Sequence, residues 1–115
     1  MTGYKRGDVV LVGFVFSDET GEKRRPALIV SSDAYHLSRQ EAIISAITSR
    51  VEQRLAGDHL IGDWQGAGLL FPSLATGIIR TVKQNMIAKK LGTMPQSDMR
   101  AVETNLREIL ELEGV

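Results

Sequence analysis

Met86-Ile87-Ala88-Lys89-Lys90-Leu91-Gly92, followed after Thr93-Met94-Pro95-Gln96 by Ser97-Asp98-Met99-Arg100-Ala101-Val102, is where this chain changes its period. The first stretch reads as a strand that Gly92 ends. Beyond it, apolar residues recur at Met99, Val102, Leu106, Ile109 and Leu110, the spacing of one helical face. Ser97 suits an N-cap, and Asp98 lies favourably in the first turn of the helix it starts. Upstream, the chain reads as short strands. Residues 9–14 form a β-rich run after the Gly7-Asp8 turn signal, and 15–25 read as a polar loop. Residues 27–30 and 42–47 are continuous apolar strands, the second ending in Thr48-Ser49-Arg50. Between them, Ser31-Ser32-Asp33 can cap a short helix through Ala34-Tyr35-His36-Leu37. His59-Leu60-Ile61 and Leu69-Leu70-Phe71 flank a turn-like Gly62 to Gly68, Pro72-Ser73 breaks the second of these, and 78–82 form a further strand. Helices do not alternate with strands, so a doubly wound sheet is excluded. The expected class is α+β: a small, strongly bent antiparallel barrel or sheet with a C-terminal amphipathic helix packed on it.

The 115 residues predict a single domain over 1–115, with 43% apolar and 24% charged residues, ordinary for a globular protein. No run is long enough for a transmembrane helix, and Met1-Thr2-Gly3-Tyr4-Lys5-Arg6 lacks an apolar signal core, so the expected setting is the cytoplasm with no membrane contact. Cysteine is absent, which removes disulfides and thiolate chemistry, and His36 and His59 stand in no ligand spacing. No metal or other cofactor is expected. Both histidines read as solvated loop or strand-edge residues. Formal charge is zero but uneven: residues 1–90 carry 12 Lys and Arg against 9 Asp and Glu, whereas 91–115 carry 2 against 5. A mildly basic body suits an anionic ligand held at a patch, not a whole duplex-binding surface.

The strongest candidate for that patch is Lys23-Arg24-Arg25-Pro26-Ala27-Leu28-Ile29-Val30. The proline forces Arg25 into extended backbone. A guanidinium is thereby fixed at the mouth of a buried strand, where it can grip a phosphate with two parallel hydrogen bonds. Taken alone, three cations before a proline are more simply a basic turn that keeps a strand end soluble, and Thr48 alone is a β-branched strand end. Trp64 reads as a core or turn anchor that could also stack on a base, and Lys89-Lys90 as charge protecting a strand edge.

Taken in order, Gly7-Asp8-Val9-Val10, Lys23 to Val30, Ala46-Ile47-Thr48-Ser49, Ala67-Gly68-Leu69…Pro72-Ser73 and Ile79-Arg80-Thr81-Val82 resemble the MazF/PemK family, the toxins of type II toxin–antitoxin systems, over roughly residues 5–112. The resemblance implies an SH3-like barrel with a C-terminal helix, a cytoplasmic homodimer, and a cognate antitoxin as partner. It also implies a metal-independent endoribonuclease that cleaves single-stranded RNA, often mRNA, through the 2′-OH to a 2′,3′-cyclic phosphate. On this resemblance Arg25 and Thr48 are the catalytic residues: Arg25 for phosphate binding and transition-state stabilisation, Thr48 for contact with the scissile phosphate. Arg24, Ser49, Ser73 and Arg80 fall at or near RNA-binding positions, and the acidic segment from Ser17 to Glu22 corresponds to a mobile loop that shapes the site.

The chain departs from the family's pattern before Arg80-Thr81. Some relatives carry an acidic residue there, and this chain has Ala75-Thr76-Gly77-Ile78-Ile79. Asp18 and Glu19 are the nearest acidic candidates for the general base. Two other function classes stay open: a non-catalytic toxin or degenerate binding member on the same scaffold, like the gyrase-poisoning toxins, and an SH3-like peptide-binding module. Only 5% aromatic residues argues against the last of these.

Overall fold

The computed structural model describes residues 3–15 and 22–113. Six strands, β1 (Asp8–Val15), β2 (Glu22–Ile29), β3 (Glu41–Thr48), β4 (His59–Leu60), β5 (Leu74–Lys83) and β6 (Ile87–Thr93), form one antiparallel sheet in the order β4-β5-β3-β2-β1-β6. A short helix α1 (Asp33–Ser38), capped by the Ser32 hydroxyl, joins β2 to β3, and α2 (Gln96–Ile109) follows β6.

The connection between β5 and β6 shows how strongly this sheet curls. In a flat sheet those two strands, four positions apart in the order, would be separated by about 19 Å. Only Gln84–Met86, a single 3₁₀ turn, lies between them, and the chain from Lys83 to Ile87 spans at most about 14 Å. The sheet therefore rolls until the end of β5 meets the start of β6, and Val82 and Ile87 share one apolar cluster with Val10, Val12, Ala27, Ile29 and Ile44. Bulges assist the roll between Val9 and Val10, between Leu11 and Val12, and between Ser45 and Ile47. The roll stops short of closure, leaving β4 and β6 as edges among the described residues.

Apolar clusters lie on both faces of the central strands, which is why Val9-Val10 and Ala27-Leu28-Ile29 read as continuous apolar runs. Val9, Leu28, Ile47 and Ala75 face the second cluster, together with Ile61, Ala67, Leu69 and Met94. Helix α2 covers this face with the buried Val102 and the partly buried Met99 and Leu106. Arg6 reinforces the attachment, donating to the Val30 carbonyl and pairing with Glu103.

The structure corrects several boundaries. Lys23, Arg24 and Arg25 belong to β2, opposite Phe14, Gly13 and Val12, because ladder bonding uses backbone groups and tolerates exposed cations. Strand β6 runs through Gly92 to Thr93. Leu69-Leu70-Phe71 is not a strand: Leu69 turns into the core while Leu70 and Phe71 point to solvent. Pro95, with extended backbone, precedes the first helical residue, so Ser97 lies inside α2 and caps nothing. His36 and His59 are not solvated. The His36 side chain is 8% exposed and bonds the Ser31 hydroxyl, and His59 Nε2 lies 2.8 Å from Asp98 Oδ1.

Asp98 is the joint that these corrections reveal. It is 5% exposed and accepts hydrogen bonds from the backbone N–H groups of Gly62 (2.8 Å) and Asp63 (3.2 Å) as well as from His59. Burial pushes its carboxyl up, but the Gly62 N–H, His59 and the Asp63 N–H together outweigh that and hold it below the usual carboxylate value. One side chain from the first turn of α2 thus pins the start of the 62–71 loop.

Candidate nucleic-acid interface

The far end of that loop borders a cleft of ≈ 580 Å³. Its floor is a cross-strand row: Leu11 of β1 stands opposite both Pro26 of β2 and Lys89 of β6. The end of β3 supplies Ile47, Thr48, Ser49 and Arg50, and the loop supplies Gly68 to Phe71 together with Ser73. Arg25 completes the set beside Pro26.

The cationic groups are Arg25, Arg50 and Lys89, and among the described lining residues there is neither a carboxylate nor an imidazole. All three cations are exposed at its surface. Cations on low-dielectric walls focus a positive potential where a phosphate would lie. Thr48 adds a directed hydroxyl. Its Oγ1 accepts the Arg50 N–H at 3.2 Å, a turn that ends the strand and leaves the hydroxyl proton to donate. Among the described residues no group of three or more His, Asp or Glu side chains converges, so none of these residues forms a ready ligand set for a metal ion.

Two glycines let the loop approach β6. Gly68, at φ +85, packs so closely on the Leu91 carbonyl that a Cβ there would overlap it, and Gly92 meets the Ala67 carbonyl in the same way. Ser73 is 4% exposed, and its hydroxyl donates to the Phe71 carbonyl at 2.8 Å. It shapes the wall rather than presenting a free hydroxyl.

The sequence candidates divide accordingly. Arg25, Thr48, Ser49 and Ser73 meet in the cleft. Arg24 is in β2 but does not line it, and Arg80 stands opposite Ile44, toward the other end of β5 from Leu74, about 20 Å along the strand. Asp18 and Glu19 lie outside the described residues. The structure adds Arg50, Lys89, Leu70 and Phe71. Lys89 and Lys90 do sit on an edge strand, but they part company: Lys90 Nζ is 3.3 Å from the buried Asp8, whereas Lys89 faces the cleft. Trp64 packs against the core, as a turn anchor should.

A curled six-stranded sheet with a basic cleft across β1, β2 and β6 at the end of β3 defines a small barrel-like α+β protein. Residues 5–110 match the model of the PemK-like, MazF-like toxins of type II toxin–antitoxin systems, and the chain belongs to that family. No curated protein matches the sequence. Among solved structures, the MazE–MazF complex (Form III) of Deinococcus radiodurans is similar with a TM-score of 0.79 at 20% identity, covering 96% of this chain and 98% of that one. An endoribonuclease in complex with its cognate antitoxin from a mycobacterial species has a TM-score of 0.76 at 19% identity, covering 98% and 100%. The Mycobacterium tuberculosis toxin MazF-mt6 has a TM-score of 0.76 at 18% identity, covering 93% and 99%. Among the described residues no helix is long and apolar enough to cross a membrane.

Proposed function

We propose that this toxin is a metal-independent endoribonuclease that cleaves single-stranded RNA through its 2′-OH, with the cleft as the active site. The observation that carries the reading is the convergence of Arg25, Thr48, Arg50 and Lys89 on one pocket free of described carboxylates. In the reaction the 2′-oxygen attacks phosphorus and gives its proton to a base. The P–O5′ bond breaks, the 5′-oxygen takes a proton, and a 2′,3′-cyclic phosphate and a 5′-hydroxyl result. Arg25 clamps the phosphorane's added charge, and Thr48 donates its hydroxyl to a non-bridging oxygen. One such preorganised donor contributes about 3 kcal/mol, or roughly 100-fold in rate. Arginine is not the base, because it stays protonated. That task falls to Asp18 or Glu19. Both belong to the stretch of sequence between β1 and β2, the strand that carries Arg25.

In the same reading, the protein acts as a cytoplasmic homodimer restrained by an acidic antitoxin whose carboxylates compete for the arginine forks. The similarity to an endoribonuclease bound to its cognate antitoxin and to MazE–MazF complexes supports that partnership. A second reading, a non-catalytic toxin on this scaffold, draws on the lack of a described carboxylate in the cleft. One experiment separates them. Purified protein in EDTA is incubated with an unstructured RNA and with a copy carrying 2′-deoxy sugars. Cleavage of the first alone, leaving cyclic-phosphate ends, supports the nuclease; binding without cleavage supports the inhibitor; dependence on added Mg²⁺ refutes the mechanism.

A further inference from the structure

Phe71 stands at the rim of the cleft and is 63% exposed, beside Leu70 at 82%. An aromatic ring left in water forgoes a large burial gain, so a fixed and exposed one calls for an occupant. Its fixation is visible on both sides. Before it, Leu69 is buried and its N–H donates to the Trp64 carbonyl at 3.0 Å. After it, the buried Ser73 donates its hydroxyl to the Phe71 carbonyl, and the Ser73 carbonyl accepts the Ile61 N–H at 3.0 Å. The loop is therefore tied to the core immediately before and after the exposed pair. What it displays is a rigid apolar platform bordering three cations.

We infer that Phe71 is a stacking platform for one base of the bound RNA strand, the strand whose phosphates lie against Arg25, Arg50 and Lys89. This inference rests on the cleft being the RNA site. Charge gathered around an exposed aromatic is the combination that holds single strands: cations follow the backbone, and a ring takes a base face without reading its identity. The floor beneath it is apolar, with Leu11, Pro26, Ile47 and Leu91, so the charge at the walls decides the occupant. Arg25, Arg50 and Lys89 line the cleft with no described carboxylate to balance them, which suits a polyanion better than a neutral peptide. Phe71 then sets affinity and the register of the strand, while Arg25 and Thr48 carry the chemistry. It is a positioning residue.

Removing a stacked ring weakens binding about 5- to 100-fold. Wild-type protein and the variants Phe71→Ala, Phe71→Leu and Phe71→Trp are compared for cleavage of a fluorescent single-stranded RNA and for binding of an all-2′-deoxy copy that cannot be cut. The expected result is a KM and Kd raised about 10-fold in Phe71→Ala with little change in kcat, near-recovery in Phe71→Trp, and no recovery in Phe71→Leu. A scan of abasic sugars along the deoxy copy then identifies the partner base: one position weakens wild-type binding by the same factor and leaves Phe71→Ala unaffected. Equal abasic penalties in both proteins, or full recovery by leucine, overturn stacking while wild-type binding and cleavage still uphold the parent reading. A fall from dimer to monomer in Phe71→Ala, read by sedimentation, assigns the ring to a subunit contact instead and also overturns it. If wild-type protein binds no RNA at all, both readings fall.

Discussion

Replacing Asp98 by asparagine keeps the shape of the joint under α2 and removes its charge. The single amide oxygen can still take His59 and the Gly62 N–H, which converge on Oδ1 at 2.8 Å each. The amide nitrogen, however, replaces Oδ2 and faces the Asp63 N–H, donor against donor. One charge-assisted bond is lost and two become neutral, for about 2–3 kcal/mol once rehydration of the exposed loop backbone is allowed for. With 115 residues and an unfolding entropy of about 2.1 cal/mol/K per residue, that lowers Tm by about 10 °C. Differential scanning calorimetry at pH 7 measures it. The effect carries a pH signature. Asp98 is more acidic folded than unfolded, so its stabilisation is present above the unfolded carboxyl pKa, about 3.9, and is lost as pH falls through the lower folded value. The gap in Tm between wild type and Asp98→Asn should therefore narrow from pH 6 to pH 3. A gap under about 2 °C, or one that ignores pH, would refute the joint as described.

Arg25→Ala and Thr48→Ala should each cut cleavage by roughly 100-fold or more with Tm changed little, measured as single-turnover rates on RNA in EDTA. Gly68→Ala should lower Tm markedly, because its methyl group meets the Leu91 carbonyl and φ +85 disfavours any side chain; unchanged melting would count against the close packing of loop and β6. Glu111 adopts φ 53 after α2, where Leu112 N–H returns to the Arg107 carbonyl and Glu111 N–H to that of Glu108. Glu111→Gly should therefore stabilise by about 0.5–1 kcal/mol in urea unfolding. Cognate antitoxin and the deoxy oligonucleotide should exclude one another in a competition titration, and a ternary complex would show that inhibition acts elsewhere.

Much of the fold was legible because apolar runs and one helical stripe are local signals. The stripe from Met99 to Leu106 packs on the core, as its spacing requires. Sequence reading failed where a residue's partner is remote. Asp98 looked like an ordinary first-turn acid and His59 like a solvated edge, since nothing local signals that they meet across 39 positions. Polarity also misplaced Lys23 to Arg25 in a loop, although pairing with β1 asks only for backbone groups. For the site, Arg25 and Thr48 stood out through the proline and the strand end. Arg50, Lys89 and Phe71 carried no motif, and their role as cleft walls follows only from the register of β6 and the turn at Ser73.

The three-residue passage from β5 to β6 also orders events during synthesis. Strand β6 pairs with β1, at the opposite end of the chain, and it supplies Lys89 and Leu91 to the cleft. A nascent chain can assemble β1 to β3 early, and with them Arg25 and Thr48, yet the pocket lacks a wall until the residues through Thr93 have been made. Closing that long loop is among the slower steps of folding. A fragment released by premature termination therefore carries the phosphate-gripping arginine on an unfinished surface, with β1 still exposed as an unpaired edge. The cell meets a complete cleft only after β6 has been made and has paired with β1.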